Sequence, residues 1–109
     1  MTRTRGESPR QAEELREQVR HWAEVLGVTP ARIRVQRMTR KWGSCSQAGG
    51  VTFASALLAR PAAFQRYVIV HELLHLRVRN HGRLFRSYLS AYAPDWRRYA
   101  NGSCRTTPR

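Results

Sequence analysis

At 109 residues and 41% hydrophobic composition, the chain has room for one small domain with a compact core. No stretch approaches the roughly 18 apolar residues of a membrane span, and Met1–Arg10 is polar and basic with no apolar run behind it. No membrane-spanning helix and no secretory leader are therefore expected, and the expected setting is cytoplasmic.

The formal net charge is +13, and every one of the 20 basic residues except Lys41 is arginine. Arginine grips phosphate in a two-pronged geometry, so the charge suits nucleic acid as a partner; biased codon use would leave the same mark. Acids are placed unevenly. Glu7, Glu13, Glu14, Glu17 and Glu24 lie in or just before the first expected helix, and from Val25 onward only Glu72 and Asp95 remain. Cys45 and Cys104 are far apart and in no metal-type pair, and both are read as reduced thiols.

Residues 1–8 read as a disordered basic tail, 9–100 as a single domain and 101–109 as a loose C-terminal tail. Ser8 followed by Pro9 is a helix start, Ser as the N-cap and Pro in the first turn. Ala12, Leu15, Val19, Trp22 and Leu26 recur at three- and four-residue steps and form one apolar face, which Gly27 ends. Thr29-Pro30 is a break. Arg32 to Thr39 alternates, Ile33 and Val35 on one side and Arg32, Arg34 and Gln36 on the other, the pattern of a strand. Arg40 to Gly50 reads as a loop, and Val51-Thr52-Phe53 as a short second strand that pairs antiparallel with the first.

Ala54 to Arg60 carries no decisive pattern. From Pro61 to about Arg77 the sequence is apolar nearly all round, as in a helix central to a fold. Asn80 to Gly82 is a turn. Leu84, Phe85, Tyr88, Leu89 and Tyr92 mark a third helix, stopped by Pro94, after which Trp96 and Tyr99 pack back in a last turn. The expected class is α+β: an N-terminal helix, a small antiparallel sheet, a central helix and a C-terminal helix.

The central helix carries the chemistry. His71-Glu72-Leu73-Leu74-His75 is the H-E-x-x-H pattern, and four residues is slightly more than one turn, so both imidazoles leave the same face and can share one ion. His81 follows just beyond the expected helix end, where a chain reversal brings it over the same ion as a third ligand. Three of the chain's 4 histidines thus fall between positions 71 and 81, and His21 is an ordinary residue on the first helix. An acid kept inside so apolar a run calls for a partner. Zn2+ at this place lowers the pKa of its water to roughly 7, and Glu72 is placed as the base that takes the proton. The competing reading is a closed structural zinc with Cys45 or Cys104 as a fourth ligand, which leaves Glu72 without a task.

Other candidates are weaker. Trp42 and Ser44 could line a cleft, although a tight turn with Trp42 as core anchor explains them as well. Asp95 could orient a ligand histidine or cap a short helix, the cap being the commoner use. Tyr88 and Tyr92 could donate to a developing oxyanion, and their spacing fits core packing equally well.

Taken together, Lys41-Trp42-Gly43-Ser44-Cys45-Ser46, Tyr67 to Leu76, Asn80-His81 followed by Phe85, and Pro94-Asp95-Trp96 are similar to the YgjP-like metallopeptidase domain, a relative of the SprT-like zinc proteases. The resemblance runs over roughly Gln11 to Tyr99 and departs from the family pattern at Arg86, where an aromatic residue is usual. It implies a minimal zincin fold, His71, His75 and His81 as zinc ligands and Glu72 as base. The expected function is a zinc metallopeptidase acting on peptides or proteins as a monomer. Two alternatives remain: a metal-dependent hydrolase of nucleotides or other phosphate compounds, and a DNA-associated module with structural zinc.

Overall fold

A computed structural model describes residues 9–78 and 80–100; the expected tails at 1–8 and beyond 100, the Ser8 cap and Cys104 lie outside them. Helix α1 spans Pro9–Leu26. Leu15, Val19, Ala23 and Leu26 are buried and Glu13, Glu14, Glu17 and Glu24 are exposed, so the predicted stripe is the packed one. Gly27 ends the helix at φ 72°. Its N–H donates to the Glu24 carbonyl (3.2 Å) and that of Val28 to the Ala23 carbonyl (2.9 Å), closing two orphan acceptors as only a residue at ease in the left-handed region allows.

The sheet corrects the expected topology. Three strands, β1 (Arg32–Gln36), β2 (Gly43–Cys45) and β3 (Gly50–Ala54), lie in the order β1-β3-β2. β2 and β3 pair antiparallel, while β1 and β3 pair parallel with Ile33 opposite Val51 and Val35 opposite Phe53. The sheet is therefore mixed rather than antiparallel. The turn between β2 and β3 forces them antiparallel, with the Ser46 N–H on the Gly50 carbonyl and Gly49 at φ 95°. β1 then takes the free side of β3, and the segment between β1 and β3 is long enough for a parallel return. β1 also stops at Gln36 rather than Thr39.

A 3-10 turn over Ser55–Ala59 resolves the undecided stretch and delivers the chain to helix α2, Ala62–Leu74. From Tyr67 to Leu74 every residue of α2 is buried, against α1 on one side and β2 and β3 on another. The helix ends three residues earlier than the apolar pattern suggests. After Leu74 the N–H groups of His75, Leu76 and Arg77 turn to carbonyls three residues back, which tightens and closes the last turn.

Helix α3, Arg83–Tyr92, lies where the apolar spacing marks it, buries Phe85 and Leu89 and leaves Leu84 58% exposed. α4, Trp96–Ala100, returns to α2. The Trp96 indole N–H donates to the Ser90 hydroxyl (3.0 Å), and the Tyr99 ring packs 4.9 Å from that of Phe64. No described helix is long and apolar enough to cross a membrane.

Candidate metal centre

The last buried turn of α2 holds His71 and Glu72, and His75 is the residue that closes the helix. His81 arrives from the turn that follows. There the Gly82 N–H donates to the Asn80 side-chain oxygen (3.0 Å), a local loop that grips the backbone on both sides of His81. The three imidazoles converge: one candidate ligand atom from each lies within 4.8 Å of the others, and the Nε2 atoms of His75 and His81 are 3.1 Å apart. Two nitrogens bound at roughly 2.0–2.1 Å to one tetrahedral ion sit about 3.3 Å from each other. The His75–His81 pair already stands near that spacing, and the three donors together could hold a divalent cation.

Phe85 forms the floor, its ring centroid 5.3, 5.0 and 4.7 Å from those of His71, His75 and His81. Exposure rises across the cluster from buried His71 through half-buried His75 to exposed His81, so the site opens on one side. Burial lowers the His71 pKa to about 4, which keeps its imidazole neutral near pH 7, the form that binds a metal.

Glu72 is fully buried. Its Oε2 lies 3.3 Å from His71 Nδ1, and its Oε1 has no hydrogen-bond partner among the described residues. Burial pushes its pKa well above the carboxylate range, and the charge of Lys41 opposes that shift. A buried carboxyl with one unsatisfied oxygen beside three converging imidazoles is costly on its own and becomes reasonable once a cation and a water complete the site.

Two participants escaped the sequence reading. A Cβ on Gly43 would stand 2.9 Å from Glu72 Cγ, 3.2 Å from Phe53 and 3.3 Å from Val68, so β2 and α2 approach as closely as they do because position 43 has no side chain. Lys41, the only lysine among the basic residues, is the cation that acts on Glu72. Its isolation in an arginine-rich chain was the available signal; for Gly43 there was only its place in the Lys41-to-Ser46 motif, because its packing role depends on a strand that the sequence does not announce.

The weaker candidates sit elsewhere. Trp42 packs edge-on to Phe64 (5.5 Å), with the Arg60 guanidinium over its ring. Ser44 alternates with Gly43 along β2 and so faces the side of the sheet away from α2, in register with Thr52. Tyr88 and Tyr92 stack on each other, centroids 6.4 Å apart, and Asp95 lies 3.9 Å from Arg66. The structure brings His71, Glu72, His75 and His81 together, and none of these other five joins them in a described contact.

Comparison with known proteins agrees with this architecture. The family model described as YgjP-like, metallopeptidase domain, matches residues 7–102. No curated protein sequence matches. Among solved structures, the metallopeptidase zymogen jannalysin of Methanocaldococcus jannaschii is 23% identical, with 72% of this chain and 80% of that one covered and a TM-score of 0.65. The metallopeptidase zymogen abylysin of Pyrococcus abyssi is 18% identical, with 85% and 99% covered and a TM-score of 0.66. At these identities the two structures speak for the fold.

Proposed function

The chain belongs to the YgjP-like metallopeptidase family and is a metal-dependent peptidase; from that premise we propose that its metal is zinc, held by His71, His75 and His81, with Glu72 as the general base. The observation that carries this reading is the convergence of three imidazoles next to a buried carboxyl whose Oε1 has no partner among the described residues. Three nitrogen donors with one open side are the usual ligand set of catalytic zinc. When bound, zinc supplies a Lewis acid for the scissile carbonyl and an acidified water.

The chain's own residues do the rest. Neutral His71 offers a lone pair without first losing a proton. Glu72 accepts the proton of the attacking water at its carboxylate and returns it to the leaving amine, the two proton transfers a peptide bond requires. Gly43 leaves the space in which the Glu72 side chain stands, and Lys41 favours its ionised form. β2 is an edge of the sheet and packs on α2 at Glu72, so a substrate strand pairing with that edge passes close to the base.

Glu72→Gln tests the assignment. The amide keeps the shape of the side chain but cannot take a proton, so hydrolysis of casein or a fluorogenic peptide should fall by about 10²–10⁴-fold while zinc content is retained. Undiminished hydrolysis in that variant would remove Glu72 from the mechanism.

A further inference from the structure

The face of the sheet turned away from α2 is concave and strongly cationic. A groove of about 300 Å³ lies on it, lined among others by Arg32, Arg34, Ser44, Ser46 and Thr52. Register explains the arrangement. Arg34 is opposite Thr52 on β3, and Thr52 is opposite Ser44 on β2, so one guanidinium and two hydroxyls form a row across all three strands. Arg32 stands one pleat away, opposite Gly50, whose N–H donates to the Ser46 hydroxyl (3.1 Å).

None of the residues lining the groove is acidic. Among the described residues, Arg32 and Arg34 enter no ion pair, and the Ser44 and Thr52 hydroxyls have no hydrogen-bond partner. The contrast with α1 is direct. There Arg16 and Arg20 lie 3.1–3.4 Å from Glu13 and Glu17, so the charges of the helix answer one another. On the sheet face the positive charge has no acidic partner among the described residues.

We propose that this outer sheet face binds the phosphodiester backbone of a nucleic acid, without reading its bases. Two forked cations and two free hydroxyls in an acid-free hollow are the donors a phosphate uses. Arg32 and Arg34 point the same way about 6.6 Å apart along one strand, a spacing suited to repeated anions on a polymer rather than to one isolated ion. No aromatic side chain lines the groove, so it offers nothing on which a base could stack. The site lies on the opposite side of the sheet from His71 and Glu72 and does not depend on how the metal centre works.

The test is fluorescence anisotropy of the full-length protein with a labelled oligonucleotide of mixed sequence, single-stranded and duplex, over a range of salt. Arg32→Ala/Arg34→Ala should weaken binding about tenfold or more and lower the slope of log affinity against log salt by about two. Arg97→Ala/Arg98→Ala removes equal charge from α4, on the α2 side of the sheet, and should cost far less. Ser44→Ala/Thr52→Ala keeps the charge and should weaken binding a few-fold with the slope unchanged, a readout that bulk positive charge does not predict.

The proposal is overturned if the wild type does not bind the oligonucleotide or if both arginine pairs lose affinity equally. It also fails if polyglutamate or inorganic phosphate competes as well as unlabelled oligonucleotide at equal charge, which would make the occupant an acidic peptide or a free anion. All four substituted groove positions are exposed or half-buried, so the melting temperatures of the variants should match the wild type and separate lost binding from lost folding.

Discussion

Two halves of the candidate metal centre are built by different means. His71 and Glu72 stand in the last turn of α2, which is packed on β2, on β3 and on α1, and both are buried. His81 stands beyond the helix end in a short polar turn, exposed, its backbone gripped by Asn80. The first half is fixed by the core whether or not an ion is present. The second is held by a few local bonds and gains most from a ligand that ties it back to α2. On the proposed assignment the domain would draw part of its stability from the metal, because ion binding and the ordering of the exposed half would be one event.

One substitution in each half should expose this asymmetry most strongly. Leu73 is fully buried beside Glu72, and Leu73→Ala should cost about 2–5 kcal/mol of unfolding free energy. Leu84→Ser, in the exposed half, should stay within about 0.5 kcal/mol. Urea unfolding of the metal-free protein measures both, and comparable losses would break the distinction.

Acid separates the two groups of the buried half. In the metal-free protein His71 titrates at about 4 when folded and near 6.5 when unfolded. The unfolded chain therefore binds more protons between those values, and stability rises with pH across that window by about 3 kcal/mol from this residue. Glu72 works in the other direction. Its folded pKa is raised, so above its ordinary value stability falls with rising pH until the buried carboxyl ionises. The slopes oppose each other in the wild type, and Glu72→Gln removes one of them. Its stability should climb more steeply from pH 4 to 6.5 than that of the wild type, and equal slopes would show that burial does not raise the Glu72 carboxyl.

A smaller change probes the contact that shapes the buried half. Gly43→Ala places a methyl group 2.9 Å from Glu72 Cγ. Overpacking of this kind costs about 1–3 kcal/mol, and here it displaces the base. We expect a lower kcat with zinc affinity unchanged, because the histidines lie beyond the contact. Loss of zinc affinity with kcat intact would mean that the strain is relieved toward the ligands instead.

The same division governs what was legible beforehand. The histidines and Glu72 could be read because their relation is local: one helical turn and one short reversal bring them together, and both leave marks in spacing. α1 and α3 were visible for the same reason, through Leu15, Val19 and Leu26 and through Phe85 and Leu89. β2 was not visible, since Gly43-Ser44-Cys45 is too short and too polar to show alternation, and its place in the sheet comes from pairing with β3. The parallel run of β1 was equally hidden, because side-chain alternation is the same in either direction. The end of α2 was misplaced because Leu76 and Val78 prolong the apolar pattern past the last helical turn, where backbone hydrogen bonding rather than burial decides.

X-ray absorption spectroscopy of the zinc-loaded protein addresses the central assignment most directly. The account predicts three imidazole nitrogens and a light oxygen donor at about 2.0–2.1 Å, with one imidazole lost in His81→Ala. A sulfur shell near 2.3 Å, or an unchanged spectrum in that variant, would contradict it.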